Sequence, residues 1–202
     1  DLVLGHNLLK VYDSNNRISY PQPIKKDKLV LVFDGELYNF NTMRNFLSKV
    51  GVEETIVSDA QILINLIDFY SKKIGLLKAV ESAIRLIDGD YAFAVFDGEN
   101  LAIARDPLGV KPLFYAERDD LKGFASTKRS LKEIGLTDIN TLKPEHILYN
   151  WRDISPAQPI HEKIFEGDVA KIEKLLKLSV IKRVEGLIEV GVIFSGGVDS
   201  SF

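Results

Sequence analysis

Cysteine is absent from the 202 residues of this sequence. Its absence excludes disulfides, thiolate metal sites and a cysteine nucleophile within these residues. An excess of one charge sign is also absent, because 26 Lys and Arg residues face 29 Asp and Glu residues and the net charge is −3. We therefore expect no nucleic acid and no membrane surface among the partners. Since no apolar run could span a bilayer and no signal peptide opens the sequence, we expect a cytoplasmic location.

The apolar residues that are present follow helix and strand periods. The sequence is 46% hydrophobic and 27% charged, as in ordinary folded proteins. A Ser58-Asp59 cap and an Asp97-Gly98 hairpin turn punctuate these runs. Helices between antiparallel-looking strands favour an α+β fold. Helices are predicted near 43–50, 58–70, 76–87 and 128–135. Two strands are predicted within 91–106, around the Asp97-Gly98 turn, and others near 28–33, 111–117, 123–127 and 145–150.

A change in composition after Trp151 predicts two domains. Residues 1–151 are expected to form the first, 152–162 a linker, and 163–202 the beginning of a second. The run at 189–194 predicts a strand buried on both sides, as in parallel sheets. The second segment is thus expected to be the first helix and strand of an α/β domain. The apolar positions that share a face of its helix are Val169, Ile172, Leu175, Leu176 and Val180.

A glycine-rich loop, SGGVDSS, occupies 195–201. Its glycines would let backbone amides approach an anion, its serines add hydroxyl donors, and a helix after it would favour phosphate. It lacks the lysine of a Walker loop, and the alternative is a simple serine–glycine turn. The candidate nucleotide-binding residues are Ser195, Gly196, Gly197, Asp199, Ser200 and Ser201, with Asp199 as the candidate Mg²⁺ ligand.

Two other features are interpreted as structural. In the segment RDPLGVKPLFY at 105–115, Asp106, Pro107 and Gly109 are expected to form a turn. His6, His146 and His161 do not have the spacing of metal ligands, so we predict no metal site on histidine.

Seven blocks and the final loop occur in a family order. The blocks are LGHNLLKVYD, QP at Gln22-Pro23, DGELYN, SDAQIL, IDGDYAFAVFD, ARDPLGVKPLFY and FAS. They resemble class II glutamine amidotransferase domains, and SGGVDSS resembles the pyrophosphate-binding loop of the ATP pyrophosphatase superfamily. Together they resemble the asparagine synthetase family. The resemblance implies an N-terminal nucleophile hydrolase domain, an αββα sandwich that releases ammonia from glutamine. It also implies a synthetase domain that uses ATP and Mg²⁺ to adenylate aspartate.

The resemblance also implies which catalytic parts lie elsewhere. The family nucleophile is an N-terminal cysteine several tens of residues before the GH block, which here begins at Gly5. We therefore expect a piece of a longer protein, with the nucleophile and the first strands of the sandwich outside these residues, and we assign no catalytic residue.

The glutamine site that the resemblance implies is altered in two places. Leu8 stands where the family has an arginine for the substrate α-carboxylate, and Asp34 where it has an asparagine that donates to the oxyanion hole. Gly35 matches the residue whose amide faces the oxyanion. Glu36 and Asp59 match the acidic residues that hold the α-amino group. The alternatives are core filling for Leu8, a turn cap for Asp34, and solvated turn and helix-cap roles for Glu36 and Asp59.

Two functions remain open at this point. The first is part of an ATP-dependent amidotransferase of the asparagine synthetase type, using glutamine or ammonia and an aspartate-like acid. The second is a non-catalytic domain of the same fold attached to a synthetase, as in β-lactam synthetases. Because unpaired sheet edges are usually covered, the absence of the opening strands from these residues predicts that a partner chain or a displaced segment covers the edge, and a homodimer is one such arrangement.

Overall fold

The computed structural model describes residues 1–7, 13–14, 17–18, 20–155, 168–185, 187 and 189–201. Its strands are β1 (Asp13–Ser14), β2 (Arg17–Ile18), β3 (Ile24–Lys26), β4 (Leu29–Leu37), β5 (Gly89–Phe96), β6 (Leu101–Arg105), β7 (Phe114–Arg118), β8 (Leu121–Ala125), β9 (Asn140–Thr141), β10 (Ile147–Tyr149) and β11 (Arg152–Ile154). Its helices are α1 (Phe40–Lys49), α2 (Asp59–Leu86), α3 (Lys128–Glu133), α4 (Val169–Val184) and α5 (Val198–Ser201).

Two antiparallel sheets form the centre of the fold. The larger has the order β11-β10-β6-β5-β4-β3 and the smaller the order β8-β7-β9. Alternate side chains of the larger sheet point to opposite faces. Phe33 and Phe93 pack on the helix side, whereas Val32 and Ala94 pack towards the smaller sheet. Both faces of β4 and β5 are therefore buried.

Helices cover the outer face of each sheet. The core between α1, α2 and the larger sheet contains Leu47, Leu63 and Ile67. On the other side, Leu131 of α3 packs with Ala116 of β7 and with Leu136. The layers are thus helices, sheet, sheet, helix, which confirms the predicted α+β class and the αββα layering.

Helix α2 begins where the sequence predicts and continues further. Ser58 accepts a hydrogen bond from the backbone of Gln61, and the Gln61 side chain accepts one from the backbone of Ser58. This capping box fixes the first turn. The predicted helices near 58–70 and 76–87 form one element interrupted at Gly75, whose φ of 75° lies outside the helical region.

The Asp97-Gly98 hairpin is formed as predicted, between β5 and β6. The Asp97 carboxylate accepts hydrogen bonds from the backbone N–H groups of Glu99 and Asn100, at 3.0 and 2.8 Å. Burial acts to raise the pKa of Asp97, but hydrogen bonds from Asn100 and Glu99 outweigh it and the pKa is lowered. The folded state therefore favours the charged form.

Asp97→Ala is expected to lower the free energy of unfolding by about 1–2 kcal/mol at neutral pH, because two turn amides lose their acceptor. The folded pKa of Asp97 lies below its unfolded value of 3.8. Its contribution is therefore complete above that value and is lost as the pH falls through the folded pKa. Chemical unfolding at pH 7 and near pH 2.5 measures this. A difference between variant and parent that does not shrink at the lower pH would contradict it.

The region after residue 167 departs from the prediction. Helix α4 is formed, but the strand predicted at 189–194 is not: these residues join no sheet, and Val192 and Ile193 are 79% and 96% exposed. A strand needs neighbouring strands for its backbone hydrogen bonds, and no described strand lies beside this run. The part of the predicted linker at 156–162 lies outside the described residues.

Helix α4 contacts the sandwich through its last turn. The Nζ of Lys182 lies 2.5 Å from the Asp88 carboxylate. The guanidinium of Arg183 lies 3.3 Å from the Asp90 carboxylate and 4.7 Å above the ring of Tyr38. The C-terminal end of α4 is therefore held where β4 ends and β5 begins.

Candidate functional site

A cavity of about 630 Å³ is lined by residues of both sheets beside β4. Its apolar walls include Val32 and Ala94 from the larger sheet, Phe124 from the smaller sheet, and Leu113, the residue before β7. Polar side chains of β4 and of the start of α2 face it as well. A cavity of this size with apolar walls and a few polar groups is typical of a site for a small molecule.

Four of the five predicted glutamine-site residues line this cavity. They are Asp34, Gly35, Glu36 and Asp59. Asp34 and Glu36 are two residues apart on β4, so their side chains share a face about 7 Å apart. Asp59, at the first position of α2, approaches from the helix layer. The fifth residue, Leu8, lies outside the described residues. The structure gathers the four residues, and their roles in binding glutamine stay predictions.

Gly35 lies where β4 and β5 approach most closely. A Cβ atom at Gly35 would lie 2.3 Å from the Asp90 carbonyl oxygen and 2.8 Å from the Tyr91 Cα. Only glycine fits without moving the backbone of one of these two strands. The positions of Asp34 and Glu36, on either side of Gly35, therefore depend on residue 35 being a glycine.

Asp34 forms an ion pair that the sequence does not predict. Its Oδ1 accepts a hydrogen bond from the Nζ of Lys111 at 3.0 Å, and the two side chains are 40% and 32% exposed. An ionised carboxylate accepts hydrogen bonds and cannot donate them. Asp34 therefore supplies no donor for a developing oxyanion.

The turn at 106–109 positions Lys111. The buried Asp106 carboxylate accepts hydrogen bonds from the N–H groups of Leu108, Val110 and Lys111, at 3.1, 2.8 and 2.9 Å. Arg105 donates to the carbonyl oxygens of Lys111, Gly109 and Leu142, at 2.6, 2.5 and 2.9 Å. The predicted structural role of this segment is confirmed, and the segment also brings a cation to the cavity.

His6 and Gln22 line the cavity near Phe33. Burial lowers the pKa of His6, against the opposing effects of the Asp34 carboxylate and of a hydrogen bond with the Phe33 backbone. His6 is therefore neutral at pH 7. The Gln22 side chain donates to the Phe33 carbonyl oxygen at 2.8 Å and accepts from its N–H at 2.5 Å. Gln22 thus provides hydrogen-bond partners for the backbone N–H and C=O groups of Phe33, the β4 residue before Asp34.

A second polar cluster lies at the C-terminal end of β4, the strand that carries Asp34 and Glu36. Glu36 on β4 pairs in register with Asp90 on β5, so their side chains share a face. Tyr38 donates a hydrogen bond of 2.5 Å to Asp90. The pKa of Tyr38 is raised, mainly by burial and secondly by this hydrogen bond. Since Arg183 of α4 also contacts Asp90, the cluster links α4 to the strand that carries Glu36.

The glycine-rich loop at 195–201 is formed and exposed. The hydroxyls of Ser195 and Ser200 lie 2.9 Å apart, and Ser201 donates to the Gly197 carbonyl oxygen at 2.7 Å. Gly196 has a φ of 77° with open space at its Cβ position. The Asp199 side chain is outside the description. Among the described residues, no group of His, Asp and Glu could hold a metal ion.

Comparison with known proteins identifies the family. The family model of the glutamine amidotransferase domain matches residues 1–177. The chain therefore belongs to the glutamine amidotransferase domain family. In the part of the chain that the structure describes, no helix has both the length and the apolar character needed to cross a lipid bilayer.

Two curated relatives match across nearly the whole chain. One is the "Putative asparagine synthetase 1 (glutamine-hydrolyzing)" of Methanocaldococcus jannaschii, 33% identical over 100% of this chain. The other is asparagine synthetase 3 (glutamine-hydrolyzing) of Bacillus subtilis, 26% identical over 99% of this chain. The chain spans 39% and 37% of the lengths of these two relatives.

A solved structure shares the fold. It is described as the allosteric regulatory enzyme of purine biosynthesis, has a TM-score of 0.61 and 22% identity, and covers 76% of this chain and 34% of its own. At this identity the likeness shows the fold alone. It agrees with the layered arrangement of helices and antiparallel sheets described above.

Proposed function

We propose that this chain is part of a glutamine-dependent amidotransferase of the asparagine synthetase type, and that these 202 residues alone bind glutamine in the cavity without hydrolysing it. The observation that carries the proposal is the grouping of Asp34, Gly35, Glu36 and Asp59 around one cavity. The matches to asparagine synthetases also continue past residue 177, where the amidotransferase match ends. This continuation supports a synthetase partner domain.

Charge explains how the cavity would hold an amino acid. Glu36 and Asp59 offer carboxylates to the α-ammonium group, and such charge-assisted hydrogen bonds are the strong ones. Polar groups that line the cavity, including the amide of Gln22, are available to the uncharged side-chain amide of glutamine. Apolar contacts from Val32 and Phe124 would exclude water around the ligand.

Hydrolysis needs groups that these 202 residues do not provide. No cysteine is present, so no thiolate can attack the amide. Asp34, paired with Lys111, places a carboxylate beside Gly35, where a developing oxyanion would be repelled. The loss of one oxyanion donor costs roughly 10²–10³ in rate. The Asp34–Lys111 pair is the observation that favours the second candidate function, a non-catalytic domain of this fold attached to a synthetase.

We propose further that the loop at 195–201 binds the pyrophosphate of ATP with Mg²⁺ and that the acid activated is aspartate or a similar molecule. The hydrogen-bond donors of the loop support pyrophosphate binding, since serine hydroxyls and the open backbone around Gly196 are groups that bind anions. Bound ATP would supply the adenylating chemistry. Asp199 is the proposed metal ligand. Calorimetry with magnesium-ATP on this chain and on a longer chain that adds the rest of the synthetase domain tests the assignment.

The 202-residue chain is expected to bind L-glutamine and to release no ammonia from it above a buffer blank. Leu8→Arg combined with Asp34→Asn is expected to remain inactive, because neither change supplies a nucleophile. Calorimetry measures the binding, and an ammonia assay over several hours measures the turnover.

D-glutamine is the matched control ligand, because it has the same groups in a different arrangement. Ammonia release by either protein would show that a nucleophile exists among these residues. Equal binding of the two enantiomers, or no binding of L-glutamine, would contradict a glutamine site in this cavity.

A further inference from the structure

We propose that Tyr38, Asp88 and Asp90 form an electrostatic docking surface for the last turn of α4, from which α4 is released while the sandwich stays folded. The docked partner is the adjacent pair Lys182 and Arg183 of the same chain. The glycine-rich loop at 195–201 follows α4, so docking limits where that loop lies relative to the cavity. In this consequence alone the inference rests on the proposed function.

The docking surface is held together by contacts that do not involve α4. The backbone N–H of Tyr38 donates to the Asp88 carbonyl oxygen at 2.7 Å. The Asn39 side chain accepts from the Asp88 N–H at 3.0 Å and donates to the Leu86 carbonyl oxygen at 2.8 Å. The Tyr38 hydroxyl donates to the Asp90 carboxylate. The segments around the end of β4 and the start of β5 therefore present both carboxylates in a fixed arrangement.

Arg183 makes the most extensive contact with this surface. Its guanidinium lies 3.3 and 3.5 Å from the two carboxylate oxygens of Asp90 and 4.7 Å from the centre of the Tyr38 ring. Ser179, one turn earlier in α4, accepts from the same guanidinium through its hydroxyl at 2.6 Å and its carbonyl oxygen at 3.1 Å. A planar guanidinium pairs with a carboxylate and stacks on a ring at the same time. Arg183 thus joins α4 to two residues of the sandwich.

The two ion pairs of the docking surface differ in exposure. In the pair of Lys182 with Asp88, both side chains are 49% exposed, and exposed ion pairs contribute little. In the pair of Arg183 with Asp90, the Asp90 side chain is 15% exposed, so solvent and salt screen this pair less. Arg183 is therefore expected to supply most of the attachment.

Apolar burial adds little to the attachment of α4. In the part of the chain that the structure describes, no residue of α4 is buried, and Leu175 and Leu176 are 50% and 43% exposed. The described core clusters are built from residues that precede α4. Hydrophobic stabilisation follows the apolar area removed from water. Release of α4 therefore leaves the cores of the sandwich intact.

The absence of cysteine allows a direct test, because introduced cysteines are the only sites for thiol-reactive labels. Asn45→Cys on α1 and Ala170→Cys near the start of α4 are both exposed and carry the spin labels. Pulsed electron paramagnetic resonance on the 202-residue chain gives the distribution of distances between these two helices. Thermal unfolding, followed by the fluorescence of Trp151 at the core between the sheets, reports on the sandwich.

Three further substitutions are compared in the doubly labelled chain. Arg183→Met removes the main contact. Arg183→Lys keeps the charge and loses the planar contact with Tyr38. Lys177→Met is the matched control, because it removes one positive charge from the same helix, where Lys177 pairs with Glu173 of α4.

At about 50 mM salt, the parent chain and Lys177→Met are expected to give one narrow distance distribution. Arg183→Met is expected to lower the ratio of docked to released α4 by roughly three- to thirty-fold, which broadens the distribution, and Arg183→Lys is expected to lie between. About 1 M salt is expected to broaden the distribution of the parent chain. The thermal midpoints of Arg183→Met and Lys177→Met are expected to be equal.

The opposite results overturn the inference. A narrow distribution in Arg183→Met, or equal broadening in Lys177→Met, removes the role of Arg183. A parent distribution that is already broad at low salt, or that stays narrow at about 1 M salt, removes the electrostatic docking surface. A lower thermal midpoint in Arg183→Met than in Lys177→Met shows that α4 is part of the sandwich. Because the measurement uses neither glutamine nor ATP, its failure and the failure of the proposed function are distinguished.

Discussion

Gly35→Ala is expected to lower the free energy of unfolding by about 3 kcal/mol or more. The added Cβ would lie 2.3 Å from the Asp90 carbonyl oxygen. β4 and β5 are central strands buried on both faces, so neither moves away without opening a core. Denaturant unfolding followed by tryptophan fluorescence measures the loss, and glutamine binding is expected to be abolished with it.

Gly191→Ala is the matched control, because a Cβ there meets nothing within 4 Å. It is expected to change stability by less than about 0.5 kcal/mol. Gly89→Ala is expected to resemble Gly35→Ala, since its Cβ would lie 2.2 Å from the Glu36 carbonyl oxygen. If Gly35→Ala were as stable as the Gly191 variant, the close approach of the two strands would be wrong.

Asp106→Ala is expected to lower the free energy of unfolding by about 3–5 kcal/mol, because a fully buried carboxylate that accepts from three backbone N–H groups is removed. The freed N–H of Lys111 would no longer fix that residue. Amide hydrogen exchange is therefore expected to rise first at Leu108, Val110 and Lys111.

Asp120→Ala gives the comparison, because Asp120 is exposed in the turn between β7 and β8. Its effect is expected to stay within about 0.5 kcal/mol. Asp106→Asn should fall between the two, since an amide keeps an acceptor oxygen and turns its NH₂ group towards a donor. Unchanged exchange at residues 108–111 in the alanine variant would show that the carboxylate does not organise the turn.

The sequence predicted the elements whose cause is local. The Ser58 cap and the Asp97-Gly98 turn are formed where their residue types indicate. The apolar run at 28–33 predicted the strand that begins β4, from residues that are neighbours along the chain. These signals lie within a few residues of one another, so no knowledge of the fold is needed to find them.

Features that depend on contacts between residues far apart in the sequence could not be predicted from it. Lys111 and Asp34 form an ion pair although they are 77 positions apart in the chain. No local pattern in either segment predicts this contact. The strand predicted at 189–194 failed for the same reason, since an apolar run becomes a strand only beside another strand. The two helices predicted near 58–70 and 76–87 are joined across Gly75, whose non-helical φ of 75° interrupts the element.

The turn at 105–111 should respond to ionic strength differently from the ion pair that it supports. Asp106 is buried and, like Arg105, bonds to backbone groups of the turn, so dissolved salt screens these contacts less than an exposed ion pair. Lys111 and Asp34 are partly exposed, and their attraction is screened at about 1 M salt. Concentrated salt should therefore leave the backbone of the turn at 105–111 in place while it breaks the ion pair and frees the Lys111 ammonium group in the cavity.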